Sequence, residues 1–126
     1  MTRLRSTTVA ALLAAAALPL DAHHGAAAYD LTAPVALAAT ITRFEWRNPH
    51  ALIDFTAGDD GSAAAQWTAE TAGLIILNRA GWTRNSLEPG DRVTIVGFRA
   101  RNGSNSMILQ RVVLADGREL NNFVPR

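Results

Sequence analysis

Residues 50–56 read His50-Ala51-Leu52-Ile53-Asp54-Phe55-Thr56, and this stretch decides the fold class. Ala51, Ile53 and Phe55 point one way; His50, Leu52, Asp54 and Thr56 point the other. That period of two is the mark of a half-buried β-strand. A turn cluster, Arg47-Asn48-Pro49, precedes it. Further upstream, Val35 to Trp46 is rich in Val, Ile, Thr and aromatics. There Ile41, Arg43 and Glu45 alternate poorly with Thr40, Thr42, Phe44 and Trp46, which predicts a long, bent strand with a change of face.

Downstream, Gly58-Asp59-Asp60-Gly61 predicts a hairpin tip, and Ala65 to Ala69, carrying Gln66 and Trp67, a short third strand. Thr71 to Ala80 keeps helical spacing through Leu74, Ile75, Leu77 and Asn78, with Gly81 as a C-terminal stop. Pro89-Gly90 fits the middle of a type II turn. Residues 93–98 and Met107 to Leu114 read as fourth and fifth strands, with Asn102-Gly103 turning between them. Three strands, one helix, then two strands predicts a mainly β fold: a five-stranded OB-like barrel whose helix plugs one end. Closure would also remove exposed sheet edges. An open sandwich or roll is the second reading. The expected core is Ile41, Ile53, Phe55, Val93, Ile95, Val112 and Leu114.

The chain has 126 residues, 48% apolar and 18% charged, which fits one globular domain. All twelve basic residues are Arg, against eleven acidic residues, for a formal charge of +1. This balance lacks the electrostatic footprint of a nucleic-acid binder. The absence of Cys excludes disulfides, thiolate metal sites, Fe–S clusters and cysteine nucleophiles.

Residues 1–22 read as a secretory signal peptide. Arg3 and Arg5 form the positive region, Val9 to Leu18 the apolar core, and Pro19 a helix break before Leu20-Asp21-Ala22. The apolar run is shorter than the roughly 20 residues that span a bilayer. With no Arg pair and no Cys after the core, general secretion to the periplasm without a membrane anchor is expected. Cleavage after Ala22 leaves His23 to Arg126, with ten Arg against ten acidic residues and no net charge. A cut after Ala17 is the alternative.

The three His lie in two places, His23-His24 at the expected mature terminus and His50 after Asn48-Pro49. A terminal His23 offers its amine and Nδ1 as one chelate, and a second imidazole, His50 or His24, completes a three-nitrogen site. Nitrogen ligands in tetragonal geometry favour copper. The plain alternative is a solvated His tail, with His50 capping its turn. Trp46, Asn48, Trp67, Glu70, Trp82 and Arg84 are candidates for a ligand or partner surface, although the Trp residues equally suit core packing. Glu70 and Asp54 do not form an inferable acid–base pair, and Ser86, Ser104 and Ser106 lack a nucleophile-elbow context. No catalytic constellation is present, so a binding role is expected.

Four segments carry a resemblance: residues 23–30 (His23 to Asp30), Phe44 to Ala51, Gly81 to Leu87, and Pro89 to Val93. They are similar to domain-of-unknown-function family 6152, small exported bacterial proteins. Its members begin the mature chain with His-His-Ser, carry Trp-x-Asn-Pro-His, then a Trp and a Glu. A Gly-Trp-x-Arg-x-Ser-Leu-x-Pro-Gly-Asp segment follows. Gly25 stands here in place of the usual Ser. The resemblance covers nearly all of residues 23–117, and implies an exported setting but no reaction.

Two functions follow as expectations. One is a periplasmic protein binding copper or another divalent metal through His23, His24 and His50. The other is a metal-free barrel that binds a partner protein or small ligand.

Overall fold

The computed structural model describes residues 25–58 and 63–123. The expected signal peptide, His23, His24 and most of the expected hairpin tip lie outside the described residues. Six strands form: β1 (Val35–Glu45), β2 (Leu52–Ala57), β3 (Ala65–Glu70), β4 (Arg92–Arg99), β5 (Ser106–Val113) and β6 (Glu119–Asn121). One helix, α1 (Leu74–Arg79), lies between β3 and β4. The sheet order is β3-β2-β1-β4-β5-β6, and a parallel pairing of β3 with β5 closes five strands into a barrel. The short β6 stays outside the ring.

The poor alternation of β1 has a physical cause. Its register against β2 slips between Ile41 and Arg43, leaving Thr42 as the extra residue of a bulge. Before the bulge the odd positions Leu37, Ala39 and Ile41 are buried; after it Phe44 and then Trp46 pack against the core. A second slip leaves Gln110 unopposed in β5, where Val96 faces Arg111 but Gly97 faces Leu109. Met107 and Leu109 are buried ahead of it and Val112 behind it. The β5 segment thus pairs with β3 through residues 106–108 and with β6 through residues 111–113.

Ile41, Ile53, Phe55, Val93, Ile95 and Val112 are buried as expected. Leu114 is only partly buried, because β5 ends at Val113 and leaves it on the rim. Met107 and Leu109 were missing from the expected core because an unbroken alternation assigns them outward. Trp67 and Trp82 are core residues, 5% and 1% exposed.

The helix is shorter than expected. Thr71 and Ala72 are held by other partners: the Thr71 N–H donates to the Ala51 carbonyl, and the Ala72 N–H to Asn122 Oδ1. α1 therefore starts only at Leu74. It ends as the sequence requires, with Gly81 at φ +90°. Gly90 takes φ +95° while Asp91 N–H donates to the Glu88 carbonyl, the geometry of a type II turn.

Candidate functional site

His50 stands just before β2 and Glu70 at the end of β3, so strand pairing brings them to one end of the barrel. The register places Glu70 beside Leu52 on one side and Ile108 on the other. Glu70 therefore sits on the seam that closes the barrel. A third group arrives from the N-terminal arm. Tyr29 bridges to Ala100, Asp30 N–H donates to the Arg99 carbonyl, and Arg101 Nε donates to the Tyr29 carbonyl. These bonds fix the arm across the end of the β4–β5 hairpin.

The three side chains form a chain of polar contacts. His50 Nδ1 lies 2.7 Å from the Thr71 carbonyl oxygen. A carbonyl only accepts, so Nδ1 carries the proton and, in the neutral ring, Nε2 keeps its lone pair. That Nε2 lies 3.6 Å from Glu70 Oε1. The other oxygen, Oε2, accepts from the Tyr29 hydroxyl at 3.3 Å. Burial first, then the Glu70 charge and the hydrogen bond to it, push the Tyr29 phenol above its ordinary value. Tyr29 is thereby kept protonated as a donor. The His50 and Glu70 side chains are 49% and 35% exposed, so solutes reach both.

These residues open onto a cleft of about 610 Å³. Its floor includes Thr71, Ala72 and Asn122, and its apolar rim includes Ile76, Ile108 and Phe123. Asn122 is fully buried and built in from both ends: Oδ1 accepts from Ala72 N–H, and Nδ2 donates to the Leu109 carbonyl at 2.8 Å. Gly25 lines the same cleft, which brings the arm to the mouth immediately after His24.

Of the residues singled out from sequence, the cleft gathers His50 and Glu70. His23 and His24 lie outside the described residues. Asn48 is exposed beside the cleft, where its Oδ1 accepts from Leu74 N–H at 3.1 Å. The Asn48–Pro49 peptide is cis.

Trp67 and Trp82 are buried in the core and Trp46 is half-buried. Trp82 Nε1 donates to the Asn121 carbonyl, and Trp46 leans on Phe44. Trp67 stacks on Phe55 beneath the Arg99 guanidinium, 4.6 Å from its ring centre. Arg84 is exposed in the loop after α1 and does not line the cleft. Among the described residues, no group of three or more His, Cys, Asp or Glu is placed to hold a metal.

Sequence reasoning missed Tyr29, Thr71 and Asn122. Tyr29 had a signal, being the only Tyr of the chain and standing in the motif beside Asp30. Asn122 had none, since nothing local marks a polar residue as buried.

The chain matches a family of unknown function, DUF6152, over residues 10–109. It belongs to that family. The match spans β1 to β4 and the first half of β5, and includes His50, Glu70 and Tyr29. Neither the curated proteins nor the solved structures give a match.

Proposed function

We propose that the protein is an exported, non-catalytic barrel that binds a divalent transition metal, copper or a related ion, at His50 and the N-terminal His23 and His24. One observation carries the reading. The Thr71 carbonyl holds His50 by Nδ1 and turns Nε2 toward Glu70 in the cleft at whose mouth the arm arrives. Metal-binding imidazoles are oriented in this way, with the second nitrogen donating to a carbonyl or carboxylate. Removal of residues 1–22 frees the His23 amine, which with its own Nδ1 forms a chelate ring. A short tether then raises the local concentration of these donors around His50. The periplasm is the compartment this reading assigns.

The test is intact-mass analysis and thermal unfolding of the exported protein, with and without Cu(II). A chain beginning at His23, holding one metal and melting higher with metal, is the expected result. Metal at about 100 times its dissociation constant adds about 2.7 kcal/mol to the folded state. His50→Ala removes the thermal shift, and one residue added before His23 weakens binding. Acid weakens it too, since protons compete for the amine and the imidazoles. Unchanged affinity and melting shift in His50→Ala would mean that the tail alone holds the metal, and the reading fails. The second reading, a small ligand or partner segment in the same cleft, draws on the exposure of Ile76 (40%) and Phe123 (55%) at the rim. Occupancy of the cleft that ignores metal would favour it.

A further inference from the structure

We propose that the cleft binds a small primary organic ammonium with an apolar body, held by Glu70 Oε1 and His50 Nε2, with Tyr29 as the positioning residue. The inference rests on the second reading above, a small ligand in the cleft, names its chemical class, and does not depend on metal.

The polar groups of the cleft divide into those already engaged and those left over. On the floor, the Thr71 hydroxyl faces the Ala51 and Ala72 carbonyls at 3.1 and 2.8 Å. Asn122 is engaged with backbone at both ends. The Tyr29 hydroxyl donates to Glu70 Oε2. What remains is Glu70 Oε1 and, in the neutral ring, the lone pair of His50 Nε2, 3.6 Å apart. Both are acceptors. Among the described residues, no Arg lines the cleft or pairs with Glu70.

Two adjacent acceptors, one of them charged, call for a cation that carries several donors. A proton on Nε2 is one answer, but an ion pair this exposed contributes little. A divalent metal takes three or four ligands, and the described residues bring together only these two. A primary ammonium has three N–H donors, so one meets Glu70, one meets His50 and the third keeps water. The spacing allows this. At hydrogen bonds of about 2.8–2.9 Å, atoms 3.6 Å apart subtend roughly 80° at the ammonium nitrogen. Each N–H···acceptor angle then stays near about 155°, inside the favourable range.

The rest of the cleft suits the body of such a ligand. Ile76, Ile108 and Phe123 form an apolar rim, and the volume of about 610 Å³ is that of a small-molecule site. Few polar groups among apolar walls is also the usual composition of such sites. Tyr29 sets the direction of the carboxylate: its hydroxyl engages Oε2 and leaves Oε1 turned toward His50. Its backbone is fixed in turn by the Ala100 bridge and the Arg101 contact.

The test titrates the exported, signal-cleaved protein, freed of metal by a chelator, with n-hexylammonium at pH 8. An alkylammonium stays charged there, as a Lys side chain does. Two compounds of the same chain length serve as controls: n-hexanol lacks the charge, and n-hexyltrimethylammonium keeps the charge but has no N–H donor. Binding is followed by the amide and imidazole signals in NMR. The expected result is a shift of the His50 ring nitrogens, with hexylammonium binding about 10- to 100-fold tighter than either control, the range for a hydrogen bond to a charged group. Glu70→Gln abolishes that preference. Tyr29→Phe lowers the preference over the trimethyl compound and leaves hexanol binding unchanged, a pattern that a purely structural role would not produce. The ligand-free melting temperature of each variant reports its fold, and the three compounds on the parent protein decide the matter without any variant. Equal affinity for hexylammonium and hexanol would overturn the ammonium assignment and leave the small-ligand reading standing. Equal affinity for the two cations would overturn the two-acceptor site. Binding of none of the three would sink this inference and the small-ligand reading together, while the Cu(II) titration judges metal binding separately.

Discussion

At the scale of single residues, the chain is unusually easy to interrogate because of what it lacks. It has one Tyr, no Lys and no Cys, and its Arg residues stay charged at any working pH. Tyr29 is therefore the side chain that titrates in strongly alkaline solution. Its folded value is raised, chiefly by burial and then by Glu70. Stability from keeping it neutral is fully present below the unfolded phenol value near about 10, and is lost as pH rises through the higher folded value. The urea midpoint should hold steady up to about pH 10 and then fall, and Tyr29→Phe should flatten that fall. An alkaline limb that is equally steep in Tyr29→Phe would remove Tyr29 from this role. Of the residues that meet in the cleft, His50 and Glu70 were legible as chemistry. Their meeting was not, because 20 residues separate them in the chain and only the β2–β3 register joins them.

At the scale of elements, both bulges matter more than any propensity. The face change in β1 was legible because Phe44 and Trp46 break parity with Ile41 within a few residues. The one in β5 was not: residues 107–114 are apolar at both parities, and alternation alone fits two registers. At Gly97 the β5 backbone leaves no room for a side chain. A Cβ there would collide with the Ile108 carbonyl oxygen, a backbone atom that cannot rotate away. Gly97→Ala should thus cost about 1–3 kcal/mol or more, as overpacking does, and should disturb the β4–β5 pairing. Chemical denaturation measures the first effect and amide exchange across residues 97–109 the second. A neutral Gly97→Ala would mean that the two strands separate at little cost.

At the scale of the whole molecule, the part outside the barrel ring holds the site together. β6 is three residues long, yet the segment that follows it supplies Asn122, and Asn121 accepts from the buried Trp82 indole. Asn122→Leu would strand the Ala72 N–H and the Leu109 carbonyl in the interior. Each unsatisfied group costs about 1–3 kcal/mol, so a loss of at least about 2 kcal/mol is expected in equilibrium unfolding. On the proposed metal-binding reading, any metal-dependent stabilisation should weaken with it, since Ala72 adjoins the Thr71 carbonyl that orients His50. A loss below about 1 kcal/mol would show that water replaces the Asn122 bonds.

The strands β1 to β5, the helix stop, the type II turn and most of the core follow from the sequence by itself, because alternation, Gly and Pro act over a few residues. Closure is different. The order of the elements predicts a closed barrel, but the pairing that closes it, β3 with β5 in parallel, joins residues far apart in the chain and no local pattern encodes it. The same holds for the shortened helix, the burial of Asn122, and the line from Thr71 through His50 and Glu70 to Tyr29. A hydrogen bond constrains only the groups that folding brings within about 3 Å, and that proximity belongs to the tertiary structure.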